Sequence, residues 1–230
     1  PLNSDAVMTL DIASYGHSFI VAGTDSRGTF GSYQVATATL DMMKKGYIVT
    51  NHVVVLISGT SELGSDLVEQ YVEMASKKGI DGITNVVRSF RGFIAEKWNE
   101  YFQNVPFEHR PGVIFIVAGL DEVDGIYSEP KIFTLISQLG FAPGIHRYGF
   151  ACAGIPIYAT YMFNRNYDVD MDINELSGLI AYAIQETASQ DQRVGGPITL
   201  IQITQDGCRE LGAEEIQELL NKYPLNRSDR

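Results

Sequence analysis

Between Ser61 and Phe102 the apolar residues of this chain recur at three- and four-residue steps, whereas on either side they come in short, nearly unbroken runs. Such a change of period fixes the order of elements early, because a surface helix buries one stripe while a core strand buries both faces. Leu63, Leu67, Val68, Tyr71, Val72 and Ala75 mark the face of a first helix, and Lys77-Lys78-Gly79 gives it a cationic last turn and a stop. Ile83, Val86, Val87, Phe90, Phe93, Ile94 and Trp98 mark a second helix from about Gly82 to Phe102. The short connection predicts two antiparallel neighbours.

Ahead of this pair the pattern is all strand. The runs 6–13 and 18–23 read as two strands around Tyr15-Gly16-His17, 24–31 as a polar turn, and 47–59 as a hairpin around Asn51-His52. Beyond the pair, 113–118, short strands near 125–127 and 132–134, and 148–152 read as a meander. A short helix follows Pro156, and Asp172-Ile173-Asn174-Glu175 is a capping box opening an amphipathic helix to about Ser189. The loop 190–196 leads to a strand at 198–203, a turn at Asp206-Gly207, a short strand and a terminal helix near 214–220. Strands, two helices, strands, two helices, strands: two sheets packed face to face, each covered outside by a helix pair, bury all these faces at once. The expectation is an α+β, four-layer αββα sandwich.

Length and composition narrow the classes. At 230 residues and 25.4 kDa the chain suits one domain that needs no disulfide staples. No apolar run approaches the roughly 18 residues of a membrane span, and Pro1 to Met8 has neither the basic start nor the apolar middle of a secretory signal. A net charge of −11 with scattered basic residues argues against nucleic acid as a partner. Cys152 and Cys208 are far apart, which fits buried thiols in a reducing compartment, so the cytoplasm is expected. His17, His52, His109 and His146 are isolated, so neither a metal nor another cofactor is expected. Cys152 lies six residues after His146, but in an apolar strand it reads as core. The glycines of 23–31 precede no helix, which excludes a phosphate loop.

The remaining motifs are polar residues at strand ends. Gly23-Thr24-Asp25-Ser26-Arg27-Gly28-Thr29 resembles the aspartate-x-arginine-x-threonine turn of proteasome β-type subunits and their bacterial relatives, which are N-terminal nucleophile hydrolases. Thr9, sixteen residues before Asp25, stands where that family keeps its nucleophile. Ile57-Ser58-Gly59 resembles its oxyanion strand end, and Lys45, fourteen residues before Gly59, stands where its lysine would. Asp191 ahead of Gly195-Gly196 resembles its late active-site loop.

The resemblance implies a threonine endopeptidase with Thr9, Asp25, Lys45, Gly59 and Asp191 as catalytic residues. It implies Gly28, Thr29 and Ile57 as the substrate-binding set, with Thr29 holding an extended backbone and Ile57 lining an apolar pocket. It further implies an unfolded polypeptide or peptide substrate, a homo-oligomeric ring, stacked rings, and a companion α-type ring or ATP-dependent unfoldase. The chemistry needs a free α-amine on the nucleophile, since an amide nitrogen accepts no proton. Residues 1–8 are therefore expected to be a propeptide or a foreign extension, and 9–230 the single domain. Two departures concern hydroxyls: Ala151-Cys152-Ala153-Gly154 and Val194 stand where the family usually carries serines. The alternatives are a silent or unprocessed β-type ring subunit, and an acyl-transfer relative acting as a peptide ligase or small-amide hydrolase.

Overall fold

The two periods separate in space. The computed structural model describes residues 9–32 and 35–223. In chain order the elements are β1 (Leu10–Tyr15), β2 (Ile20–Asp25), β3 (Gly28–Ser32), β4 (Val35–Leu40), β5 (Gly46–Thr50), β6 (Val53–Gly59), α1 (Ser61–Lys78) and α2 (Ile83–Tyr101). Then come β7 (Val113–Val123), β8 (Ile126–Ile136), β9 (Gly144–Ile145), β10 (Phe150–Gly154), α3 (Ile157–Asn166), α4 (Ile173–Gln190), β11 (Ile198–Thr204), β12 (Gly207–Glu210) and α5 (Ala213–Lys222).

The strands form two five-stranded antiparallel sheets, β10-β1-β2-β11-β12 and β5-β6-β7-β8-β9, and a separate β3-β4 ribbon. Alternation along β6 explains the layering: Val54 and Leu56 face the other sheet with Ala13, Ile20 and Ala22, while Val53, Val55 and Ile57 turn outward under α1 and α2. Tyr71, Phe90 and Phe115 fill that outer layer, and Leu179, Ile180 and Leu200 lie in its counterpart on the first sheet. The αββα sandwich is therefore the observed architecture, and all three inter-layer cores are apolar.

Several boundaries differ from the sequence reading. Residues 24–31 are not one turn: β2 runs to Asp25, Ser26-Arg27 is the link, and β3 pairs Thr29 with Thr39. The strands expected near 125–127 and 132–134 are one strand, β8, in which Pro130 lies opposite Leu120. Proline is tolerated because β9 pairs with β8 only at Phe133 and Thr134, which leaves Pro130 on an edge. The meander also ends early. β10 crosses to the other sheet and pairs with β1, Ile12 opposite Cys152, after a turn at Gly149 (φ 89°) whose carbonyl accepts from Tyr15 N and Ser14 Oγ. Finally, the first sheet carries three helices, because α5 adds Ile216 to the layer built by α3 and α4.

Local signals in the helices translate directly. Asp172 accepts from the backbone of Asn174 and Glu175 while Glu175 accepts from Asp172 N, closing the capping box of α4. Gly79 adopts the left-handed conformation that stops α1. Among the described residues, no helix is long and apolar enough to cross a membrane.

Candidate active site

Asp25, the last residue of β2, organises one end of the sandwich. Its carboxylate is fully buried and collects five donors. Oδ1 accepts from Thr9 Oγ1 (2.5 Å), Leu10 N (3.0 Å) and Lys45 Nζ (2.8 Å). Oδ2 accepts from Arg27 N (3.2 Å) and Gly195 N (2.9 Å). A carboxylate with this many donors is held in one orientation and is the anion that lets the Lys45 ammonium, 3% exposed, sit out of water.

Lys45 is fixed at three points: it donates to Thr9 Oγ1 at 2.6 Å, to Asp25 Oδ1 and to Arg27 O at 2.5 Å. Thr9 Oγ1 thus accepts from an ammonium and donates to a carboxylate, a geometry that polarises its O–H bond. The strand leading from Thr9 is set by β10, where Ile155 N donates to Thr9 O at 2.8 Å. Gly154 allows this approach, since a Cβ there would lie 1.9 Å from Thr9 O.

The late loop docks on the same turn. Ser26 N donates to Gly195 O (3.1 Å), and Arg27 donates to Gln192 O (2.8 Å) while pairing with Asp41 through two bonds of 2.7 Å. Val194, fully buried, anchors the loop in the α4 layer. The carboxylate of Asp191, however, is turned to Arg193, at 2.9 Å from Nε and 2.6 Å from Nη2, which holds it below the usual carboxylate range. The structure brings Thr9, Asp25 and Lys45 together; it gives Asp191 a different partner.

Gly59 closes β6 beside this cluster with φ 103°, in a conformation that favours glycine, and a Cβ there would lie 2.4 Å from Gly112 O. Ile57 N donates to Lys45 O (3.0 Å), but the Ile57 side chain is fully buried under α1, where a Cβ on Gly64 would touch it. Gly28 packs against Met43 Sδ, and the side chain of Thr29 lies outside the described residues, as do Pro1 to Met8.

One charged residue escaped the sequence reading. Asp11, fully buried on β1, shares a hydrogen bond of 2.5 Å with Thr24 Oγ1 and accepts from Ser58 Oγ, and loss of water pushes its carboxyl up to about 7. Its signal was present, because a charge inside the apolar run Leu10-Asp11-Ile12-Ala13 has to be buried with a partner or neutral.

The other candidates are structural. The Cys152 thiol is pushed up to about 12 by burial, and His146 bonds Thr134 at 2.6 Å instead of approaching it. His52 stacks on Tyr127 at 3.6 Å, with its ring nitrogens near Asp81 and Gln205 O, so it ties turns of both sheets together. Among the described residues no His, Cys, Asp and Glu group could hold a metal ion.

Comparison with known proteins gives the same direction. The chain is 32% identical over 107 residues to proteasome subunit beta 1 of Thermococcus onnurineus (strain NA1), covering 46% of this chain and 48% of that protein. It is 28% identical over 149 residues to proteasome subunit beta 1 of Thermococcus kodakarensis (strain ATCC BAA-918 / JCM 12380 / KOD1), covering 64% and 61%. The matches support a proteasome β-type subunit. The chain spans between about half and three fifths of the length of these relatives, and no family model matches it. Ala153 on β10 lies opposite Asp11 and Val194 lies in the core, so these two positions offer no hydroxyl to the Thr9 cluster.

Proposed function

We propose that the chain is a proteasome-type threonine peptidase subunit that cleaves unfolded polypeptide once Thr9 is N-terminal, with residues 9–230 as the working domain. The observation that supports this most is the Thr9 hydroxyl held between Lys45 Nζ at 2.6 Å and Asp25 Oδ1 at 2.5 Å. In the reaction, Thr9 Oγ attacks the scissile carbonyl carbon and its proton passes to the Thr9 α-amine, whose ordinary pKa is about 8. The Lys45 ammonium favours negative charge on Oγ as it develops, and Asp25 keeps the lysine in place. The backbone N–H of Gly59 meets the oxyanion. The C–N bond breaks, the ammonium proton goes to the leaving amine, and Thr9 carries an acyl ester. Water then attacks the ester carbon and gives a proton to the amine, the acyl–Oγ bond breaks, the carboxylic acid product leaves, and Oγ takes its hydrogen back from the α-ammonium. Asp191 and the backbone around Gly28 and Thr29 complete the site on the family pattern, within a cytoplasmic homo-oligomeric ring, with stacked rings and an α-type ring or ATP-dependent unfoldase as companions.

A second reading is favoured by the Asp191–Arg193 pair and by Ala153 and Val194: a silent ring subunit that keeps residues 1–8. Mass spectrometry of the protein from its own cells separates the two. A mature chain beginning at Thr9 supports the peptidase; a chain that still carries Pro1 to Met8 overturns it.

A further inference from the structure

We propose that Asp11 is a positioning residue of the Thr9 site, a buried neutral carboxylic acid that bridges β1 to the strand ends carrying Asp25 and Gly59 and keeps a second anion away from Lys45. This rests on the peptidase reading and adds a residue to it. The geometry is a count of hydrogens. Thr24 Oγ1 lies 2.5 Å from Asp11 Oδ1 and 3.0 Å from Asp25 O, and a backbone carbonyl only accepts. The single Thr24 hydrogen cannot serve both oxygens. If Asp11 carries a proton on Oδ1, it donates to Thr24 Oγ1, Thr24 donates to Asp25 O, and Ser58 donates to Asp11 Oδ2. Every polar atom in the bridge is then satisfied.

The bridge has a mechanical and an electrostatic consequence. Mechanically, it links β1 two residues from Thr9 to Thr24, beside Asp25, and to Ser58, beside Gly59. Electrostatically, the titratable and charged groups facing Asp11 are Asp25 on β2, Lys45 ahead of β5 and Cys152 on β10. With Asp11 neutral, the single ammonium of Lys45 is balanced by the single carboxylate of Asp25. Ionising Asp11 puts a further negative charge in this dry space, which opposes the negative charge growing on Thr9 Oγ during attack. Desolvation, partly offset by Ser58, Thr24 and Lys45, sets that change near neutral pH, with the carboxyl raised to about 7.

Asparagine reproduces the protonated acid, one donor toward Thr24 and one acceptor toward Ser58, without the ability to ionise. The chain beginning at Thr9 is labelled with ¹³C in its aspartate carboxyls and lysine ε-carbons and followed by NMR across pH. The Asp11 carboxyl is expected to titrate near neutrality, with the Lys45 ε-carbon moving over the same interval; in Asp11→Asn that movement disappears. The same proteins are then exposed to a threonine-directed epoxyketone. The adduct rate of Asp11→Asn relative to the parent should rise about tenfold between pH 6 and 8.5, equivalent to one pKa unit of coupling, while Asp11→Ala, lacking the bridge, is about tenfold slower than Asp11→Asn throughout. An Asp11 carboxyl that titrates in the ordinary range, or a rate ratio that is flat with pH, overturns the proposal. If the resonances behave as expected but Thr9 takes no adduct in any protein, the peptidase reading fails and the positioning role falls with it. The resonances therefore tell the two failures apart.

Discussion

At the scale of residues, Thr9 shares one oxygen of Asp25 with Lys45, so the three side chains act as a unit and their contributions will not add. Lys45→Ala removes the counter-charge of Asp25 in a dry pocket and the charge beside Oγ. We expect it to slow epoxyketone labelling of Thr9 by about a thousandfold, read by intact-protein mass spectrometry; a loss below tenfold would assign Lys45 to packing. Asp11 adds a signature in stability. The folded chain holds its proton up to about pH 7, whereas an unfolded chain releases it near 3.8, so between these values the unfolded state binds fewer protons. The contribution of Asp11 to stability should therefore fall as pH rises from about 4 to about 7 and level off above, by roughly 4 kcal/mol at most for a shift of this size. Denaturant melts at several pH values, with Asp11→Asn showing a shallower decline, check this. Thr9, Asp25 and Lys45 were legible in the sequence through the resemblance, because each sits at a strand end, Thr9 sixteen residues before Asp25 and Lys45 fourteen before Gly59. Asp11 was not read, because a strand pattern gives its neighbours and not which hydroxyls from other strands will meet it.

At the scale of elements, helices were the best-defined part of the sequence, since period, cap and stop agree. α1 is bounded by Ser61 and Lys78, and α4 opens on the expected Asp172–Glu175 box. Removing the cap by Asp172→Ala should lower stability by about 1 kcal/mol, measured by thermal melting, with no effect at Thr9. Strands were harder wherever their partner is distant. β3 was hidden in a glycine-rich stretch, β8 was divided at Pro130, and β10 was given to the wrong neighbour because nothing local announces a crossing between sheets. That crossing matters for the site: Gly154, with φ 89°, ends β10 against the carbonyl of Thr9. Gly154→Ala must either move Thr9 or strain the backbone. The expected result is a loss of about 1–3 kcal/mol in chemical denaturation, with weakened labelling at Thr9 in the fraction that folds.

At the scale of the whole molecule, the layered order was readable because alternating blocks of strand and helix leave few ways to bury every apolar face. Surfaces were less readable. The apolar face of α2, with Ile83, Val86, Phe90, Ile94 and Trp98, turns into the chain's own core. Tyr148 (89% exposed), Ile157 (71%) and Tyr161 (59%) instead stand out in the segment around β10 and α3. A homo-oligomeric ring would sediment at several times 25.4 kDa in analytical ultracentrifugation, whereas a single species at that mass would remove the ring from the proposal. The most direct measurement, though, concerns the Thr9 bond-forming step. After treatment of the native protein with a threonine-directed epoxyketone, tandem mass spectrometry should place one adduct on the Oγ and α-amine of Thr9, and Lys45→Ala should lose it. An unmodified Thr9, or an adduct mapped elsewhere in the chain, would contradict an N-terminal threonine nucleophile.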